Sequence, residues 1–129
     1  MTTKEVAVDG CVLSHKAGSP ISGGSFSITS TPSDKELENG KGAYEKELKF
    51  TFSGGSATGF APNSVATTAP QTINPTADSK MGGEKVMRKG DSVLMNCVGT
   101  IAPPATPPTG PIAGDVEISD AGQTNLKTT

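Results

Sequence analysis

Aromatic residues are nearly missing from this chain, which has no tryptophan, one tyrosine and four phenylalanines in 129 residues. A platform that stacks successive bases needs several exposed rings, so single-stranded nucleic acid is not an expected partner. Charge argues against duplexes too: 11 basic residues against 13 acidic ones leave a net charge of −2 and no basic stripe. Histidine occurs once, so imidazole acid–base or triad chemistry would have to run through His15. Its neighbour Ser14 points to the opposite face of any extended segment. The Gly90-Asp91-Ser92 stretch lacks the strand-to-helix elbow of a hydrolase nucleophile, and there is no phosphate-loop motif. Glu36, Glu38, Glu45 and Glu47 read as solvated edge charges, and no enzyme is expected.

Long apolar runs are also missing. No stretch approaches 18 residues, so no membrane-spanning helix is expected. The opening MTTKEVAVDG has no apolar core of a secretory signal, so a reducing cytoplasm is expected, which disfavours disulfides. Val, Ile, Leu and Phe together number only 23, about 18% of the chain, at the border where disorder becomes a live reading. The small net charge argues against disorder. Each large side chain buried contributes roughly 1.5–3 kcal/mol against roughly 1.5 kcal/mol of entropy per ordered residue. A core this lean is near break-even, so a metal, a disulfide or docking on a partner is expected to help.

What is present has a period of two. Val6 and Val8 alternate, as do Phe26 and Ile28, Val116 and Ile118, and most clearly Leu48, Phe50 and Phe52. In SVLMNCV, Val93, Met95 and Cys97 share one face while Leu94 and Val98 share the other, so both faces should be covered. Glycine and proline total 26 and punctuate these pieces. EKVMRKGDSVLMN reads as a hairpin turning at Lys89-Gly90-Asp91. The SDKELENGKGAYEKELK stretch allows two helical turns or a charged loop. Residues 60–78 read as a long surface loop, IAPPATPPTGP as a stiff extended spacer, and GQTNLKTT as a frayed end. The expected organisation is a compact β-rich domain over 1–102, a Pro-rich extended segment with a final strand over 103–120, and a frayed tail over 121–129.

VDGCVLSHKAG near the start and GGEKVMRKGDSVLMNCVGTIAPP near the end together resemble the PAAR-like spike-tip proteins of contractile injection systems. That group serves type VI secretion machines and phage-tail-like particles. The match covers roughly residues 5–32 and 79–120. The resemblance implies an all-β fold, a small cone-like domain of short strands and long loops with a pseudo-threefold arrangement. It implies that the base caps a trimeric VgrG-like β-helical spike and that the tip helps puncture the target envelope. Contact with the target membrane would be transient, without stable insertion, and an effector cargo is a conceivable rider. The chain would be cytoplasmic before assembly and then leave the cell at the tip of the particle. Capping also suits physics, because a trimeric β-helix ends in exposed strand edges that demand a cover.

Spike tips of this family generally hold a metal through histidines and a cysteine. The resemblance therefore implies one structural metal ion, zinc ahead of iron, on Cys11, His15 and Cys97. The Cys-x3-His spacing of Cys11 and His15 is a weak signal alone, since zinc frameworks use two local pairs. A Cys11–Cys97 disulfide, worth about 4 kcal/mol on a chain-entropy account, is the second reading. Two buried thiols and a surface histidine are the third. The competing functional class is a small β-sandwich binding or adhesion module.

Overall fold

The computed structural model describes residues 3–33, 37–38, 40–77, 80–81, 84–101, 108–124 and 126–128. The fold is all-β, and no helix occurs among the described residues. Two three-stranded antiparallel sheets hold most of the described strand residues. One contains β2 (Val12–His15), β10 (Ser92–Thr100) and β11 (Thr109–Asp120), in the order β10-β11-β2. The other contains β3 (Ser22–Ile28), β6 (Leu48–Ser56) and β7 (Gln71–Ile73), in the order β3-β6-β7. Three two-stranded ribbons complete the described strands. They are β1 (Lys4–Glu5) with β12 (Lys127–Thr128), β4 (Leu37–Glu38) with β5 (Lys41–Gly42), and β8 (Lys80–Met81) with β9 (Glu84–Lys85).

The period-two segments make one core. Leu48, Phe50 and Phe52 of β6 point inward while Lys49 and Ser53 stay out. They meet Leu13, Met95, Cys97, Val116 and Ile118 from the other sheet in a single apolar cluster. Phe50 and Phe52 each stack edge-on or tilted against Phe26 of β3, with ring centroids 5.9 and 4.8 Å apart. The faces of β10 split as the alternation requires, but among the described residues only one is covered. Leu94 is 54% exposed and Val98 37%, so the second apolar face meets solvent.

Several expectations need correction. The turn at Lys89-Gly90 forms, with Gly90 at φ 93° and the Asp91 amide donating to the Arg88 carbonyl at 3.1 Å. It is a corner rather than a hairpin. Val86 pairs with Glu45 and Arg88 with Val6, whereas β10 beyond the corner pairs with β11. Residues 60–77 are not a loose surface loop, because Val65, Ile73 and Ala77 are fully buried and Ala66 and Val98 exchange both backbone hydrogen bonds. Nor does the compact part end near residue 102. β11 is the central strand of its sheet, and Pro111 is accommodated opposite Val98. Residues 103–107 of the Pro-rich segment lie outside the described residues.

The expected frayed tail is tied down. Val6 donates to the Leu126 carbonyl and Val8 to that of Ala121, both at 2.9 Å. The Gln123 amide nitrogen donates to the carbonyls of Val6 and Leu126 at 2.7 and 2.8 Å, and its oxygen accepts from the Leu126 amide. These bonds satisfy buried backbone groups of the segment beneath, which water could not reach.

Candidate functional site

Three short segments that lack the identity of a sequence repeat are locked into one ring. They are Val6-Ala7-Val8, Ala43-Tyr44-Glu45 and Val86-Met87-Arg88. The Ala7 amide donates to the Met87 carbonyl at 2.8 Å, Met87 donates to Tyr44 at 2.9 Å, and Tyr44 donates to Ala7 at 3.0 Å. The flanking residues bridge in the same cyclic sense: Val6 with Arg88, Val8 with Ala43, and Glu45 with Val86. A second set of bonds repeats the rotation further out. Lys89 donates to Glu5 at 2.8 Å, Asp9 to Gly42 at 2.8 Å, and Lys46 to Lys85 at 2.7 Å. Every donor and acceptor occupies the equivalent place in its own segment, so the ring is pseudo-threefold.

Alternation explains why these residues suit the ring. The middle residues Ala7, Tyr44 and Met87 join the main core, while Val6, Val8, Ala43 and Val86 form a second, fully buried cluster against Leu126. Each arm enters the ring from a ribbon (β1, β5 or β9) and leaves through a corner into a strand of one of the two main sheets (β2, β6 or β10). The corners differ: Gly10 and Gly90 supply positive φ in two arms, and Lys46 does so in the third at φ 73°.

A charged group is buried beside one arm. Arg88 and Asp91 are 7% and 2% exposed. Thr76 links them, accepting from Arg88 Nη2 at 3.0 Å and donating to Asp91 Oδ1 at 2.5 Å. Asp91 Oδ2 accepts the Arg88 amide at 2.9 Å, capping the corner, and Arg88 Nη1 donates to the Thr128 carbonyl at 3.3 Å. Arg88 Nε is buried without a partner. The pseudo-equivalents of Asp91 are the apolar Cys11 and Leu48, so this node breaks the threefold likeness in one arm only.

Cys11, His15 and Cys97 do not come together. Cys11 precedes β2 and His15 ends it, while Cys97 lies on β10 with β11 between. Val12 faces Asp120 and Cys97 faces Ile112 across β11. Those partners are separated by roughly 25 Å of strand, against about 6 Å between the Cα atoms of a disulfide. Both cysteines are free and buried. The same spacing is too great for one ion to reach all three side chains. Among the described residues no group of three or more His, Cys, Asp or Glu side chains gathers around a common point.

The surroundings of each side chain are instead protonating or occupied. Burial pushes the Cys11 thiol up to about 12, with Asp9 and Asp120 adding to the effect, and burial pushes Cys97 up to about 11. Burial also raises Tyr44 to about 12, helped by Cys11 and Asp9. His15 donates from Nε2 to the Gly23 carbonyl at 2.8 Å, because a carbonyl oxygen only accepts. Its ring sits 5.1 Å from both Phe26 and Phe52, and Nδ1 is buried without a partner. It braces the junction of β2 and β3.

Comparison with family models, curated proteins and solved structures finds no match. No helix among the described residues is long and apolar enough to cross a membrane. The ring residues escaped the reading of the sequence. Their signal is faint: a charged residue two places before an apolar pair, recurring roughly forty residues apart, within the range where internal repeats are sought.

Proposed function

We propose that this chain is a PAAR-like spike tip that caps a trimeric β-helical spike and acts mechanically, without catalysis. The observation that supports this reading is the ring closed by Ala7, Tyr44 and Met87. A trimer presents three equivalent strand edges about its axis, each with unpaired N–H and C=O groups. A single chain can match all three only if it carries an internal threefold of its own. Here each arm of the ring is led in by a two-stranded ribbon, and ribbons of this kind retain free edges that suit the three edges of a spike.

How the arms are tied supports the mechanical role. Load on any one arm passes through main-chain hydrogen bonds to the other two, and the second apolar cluster with Leu126 is fully packed behind them. Docking would also cover surface that so lean a core leaves uncompensated. The apolar face carrying Leu94 and Val98 is one part of that surface.

The test is stoichiometric. Mixed with a trimeric VgrG-like spike, the chain should co-elute as one copy per trimer, and disrupting the ribbons should abolish binding without unfolding the core. Separate elution at all ratios, or three copies per trimer, overturns the reading in favour of an independent binding module.

A further inference from the structure

The two main sheets meet along two seams, and only one is laced. On the β6–β10 side, residues 60–67 cross between the sheets. Val65 bridges Gly55, and Ala66 exchanges hydrogen bonds of 3.0 and 2.9 Å with Val98. On the β2–β3 side no backbone hydrogen bond joins the two strands among the described residues. They leave their connecting loop as a splayed pair, braced near its closed end by His15 on Gly23, and open towards Cys11 and Ile28.

A cavity of about 360 Å³ occupies the opening, with Val12 and Leu13 on one bank and Ser25, Phe26 and Ile28 on the other. Antiparallel alternation fixes what the banks offer. Lys16 donates to the Asp115 carbonyl, and Ile118, opposite Leu13, bonds away from β2 towards Gly90 and Asp91. The amide and carbonyl of Leu13 therefore point into the seam. Thr29 donates to Lys49, and Phe52, opposite Phe26, bonds away from β3 to Thr67. The amides and carbonyls of Phe26 and Ile28 therefore also point into the seam. Exposed edges are ordinarily guarded by lysine, proline or other charges. Neither Val12–His15 nor Ser22–Ile28 carries any lysine, arginine, aspartate, glutamate or proline.

We propose that this seam binds an extended segment of a partner protein, which enters as an additional strand between β2 and β3. Only backbone with both edges free can pair with two facing edges at once. A second copy is unsuited, since each described strand of three or more residues already has a partner within its own sheet. Inward side chains of the guest would rest on Leu13, Phe26 and Ile28. At the open end Asp120 of β11 faces Val12 and Asp9 lies two residues before Cys11, both exposed, so the guest should carry one lysine or arginine there. The seam lies along the strand body rather than on the ring, so the proposal stands independently of spike capping.

The probe is a panel of eight-residue synthetic peptides alternating valine and threonine, with a single lysine moved along the register. Amide exchange of the isotope-labelled full chain is followed by NMR. Leu13, Phe26 and Ile28 amides should exchange quickly in the free chain. At least one peptide should slow all three by about ten-fold or more. Replacing its lysine by glutamate should weaken binding by roughly ten-fold. Ser25→Trp and, separately, Val12→Trp should fill the opening and abolish the protection while leaving co-elution with a spike unchanged. Protection by no peptide at about 1 mM, a weak-binding concentration, overturns the proposal. So does protection of one bank alone, or protection that rises with protein concentration in the absence of peptide, the signature of a second copy.

Discussion

The amide of Ala7 and the carbonyl of Met87, 2.8 Å apart, join the start of the chain to its third arm and close a ring of three. Because Met87 is fully buried and points into the main core, its side chain holds that arm against the other two. Met87→Ala should cost about 2–5 kcal/mol, the range for emptying a buried methionine site. Lys89→Ala, one corner away, should change stability by less than about 0.5 kcal/mol, as expected of an exposed side chain. Urea unfolding of the two variants checks the contrast, and equal losses would mean that the ring is not the structural hub.

Thr76 is the hinge of the buried charge node. Replacing it with valine leaves Arg88 Nη2 and Asp91 Oδ1 without the hydroxyl that serves both. Arg88 and Asp91 are buried, but Thr76 itself is exposed and water can reach the vacated position, so Thr76→Val should lose about 1–3 kcal/mol despite its similar volume. Thr76→Ser keeps the hydroxyl and should stay within about 1 kcal/mol of the parent, the difference being one methyl group. Parallel losses in the two variants, read by denaturant midpoints, would assign the cost to packing instead.

The strands could be read where alternation was local. Leu48, Phe50 and Phe52 announce β6 because every second residue is large and apolar, and the Gly90 corner is announced by its glycine. Partners were not legible. The sequence around Val86 looks like half a hairpin because the following strand adjoins it, yet its pairing goes to Glu45 across the ring. Val-Ala-Val, Ala-Tyr-Glu and Val-Met-Arg share a position in space but almost no chemistry, so the threefold left only a faint repeat, the charged residue two places before each apolar pair. The early part of β11 is hard to read because Gly110, Pro111 and Gly114 dilute its pattern, although Ser92–Thr100 of β10 pairs with it residue by residue. The expected metal ligands come from the family resemblance, which carries no distance; the register of β11 sets Cys11 and Cys97 far apart.

Lys46 occupies the left-handed region, at φ 73°, in the corner of the middle arm. The other two arms use glycine for their positive φ. A non-glycine residue held there costs on the order of 1–3 kcal/mol, against which glycine adds about 0.5–1 kcal/mol of unfolded-chain entropy. Lys46→Gly should therefore stabilise the chain by about 1 kcal/mol, and Lys46→Val should destabilise it because a β-branched side chain suits that region least. Thermal unfolding of the pair checks the order; a glycine variant that melts earlier than the parent contradicts the strain.

The two thiols give the stability a direction in pH. In the unfolded chain both cysteines lose their protons near their ordinary value of 9.0, whereas the folded chain keeps them to about 12 at Cys11 and about 11 at Cys97. Above pH 9 the folded state thus binds more protons than the unfolded one, so stability falls as pH rises. The contribution is complete below pH 9 and is lost through the window from about 9 to 12, and Tyr44 acts in the same sense from its ordinary 10.0. Urea midpoints should decline across that window, and the Cys11→Ala, Cys97→Ala double variant should decline less steeply. At neutral pH both side chains are thiols, the form that attacks disulfide reagents poorly. Ellman's reagent should therefore react slowly with the native protein and promptly with two groups after denaturation. A fast native thiol, or an alkaline decline as steep without the cysteines as with them, would contradict the buried placement of these residues.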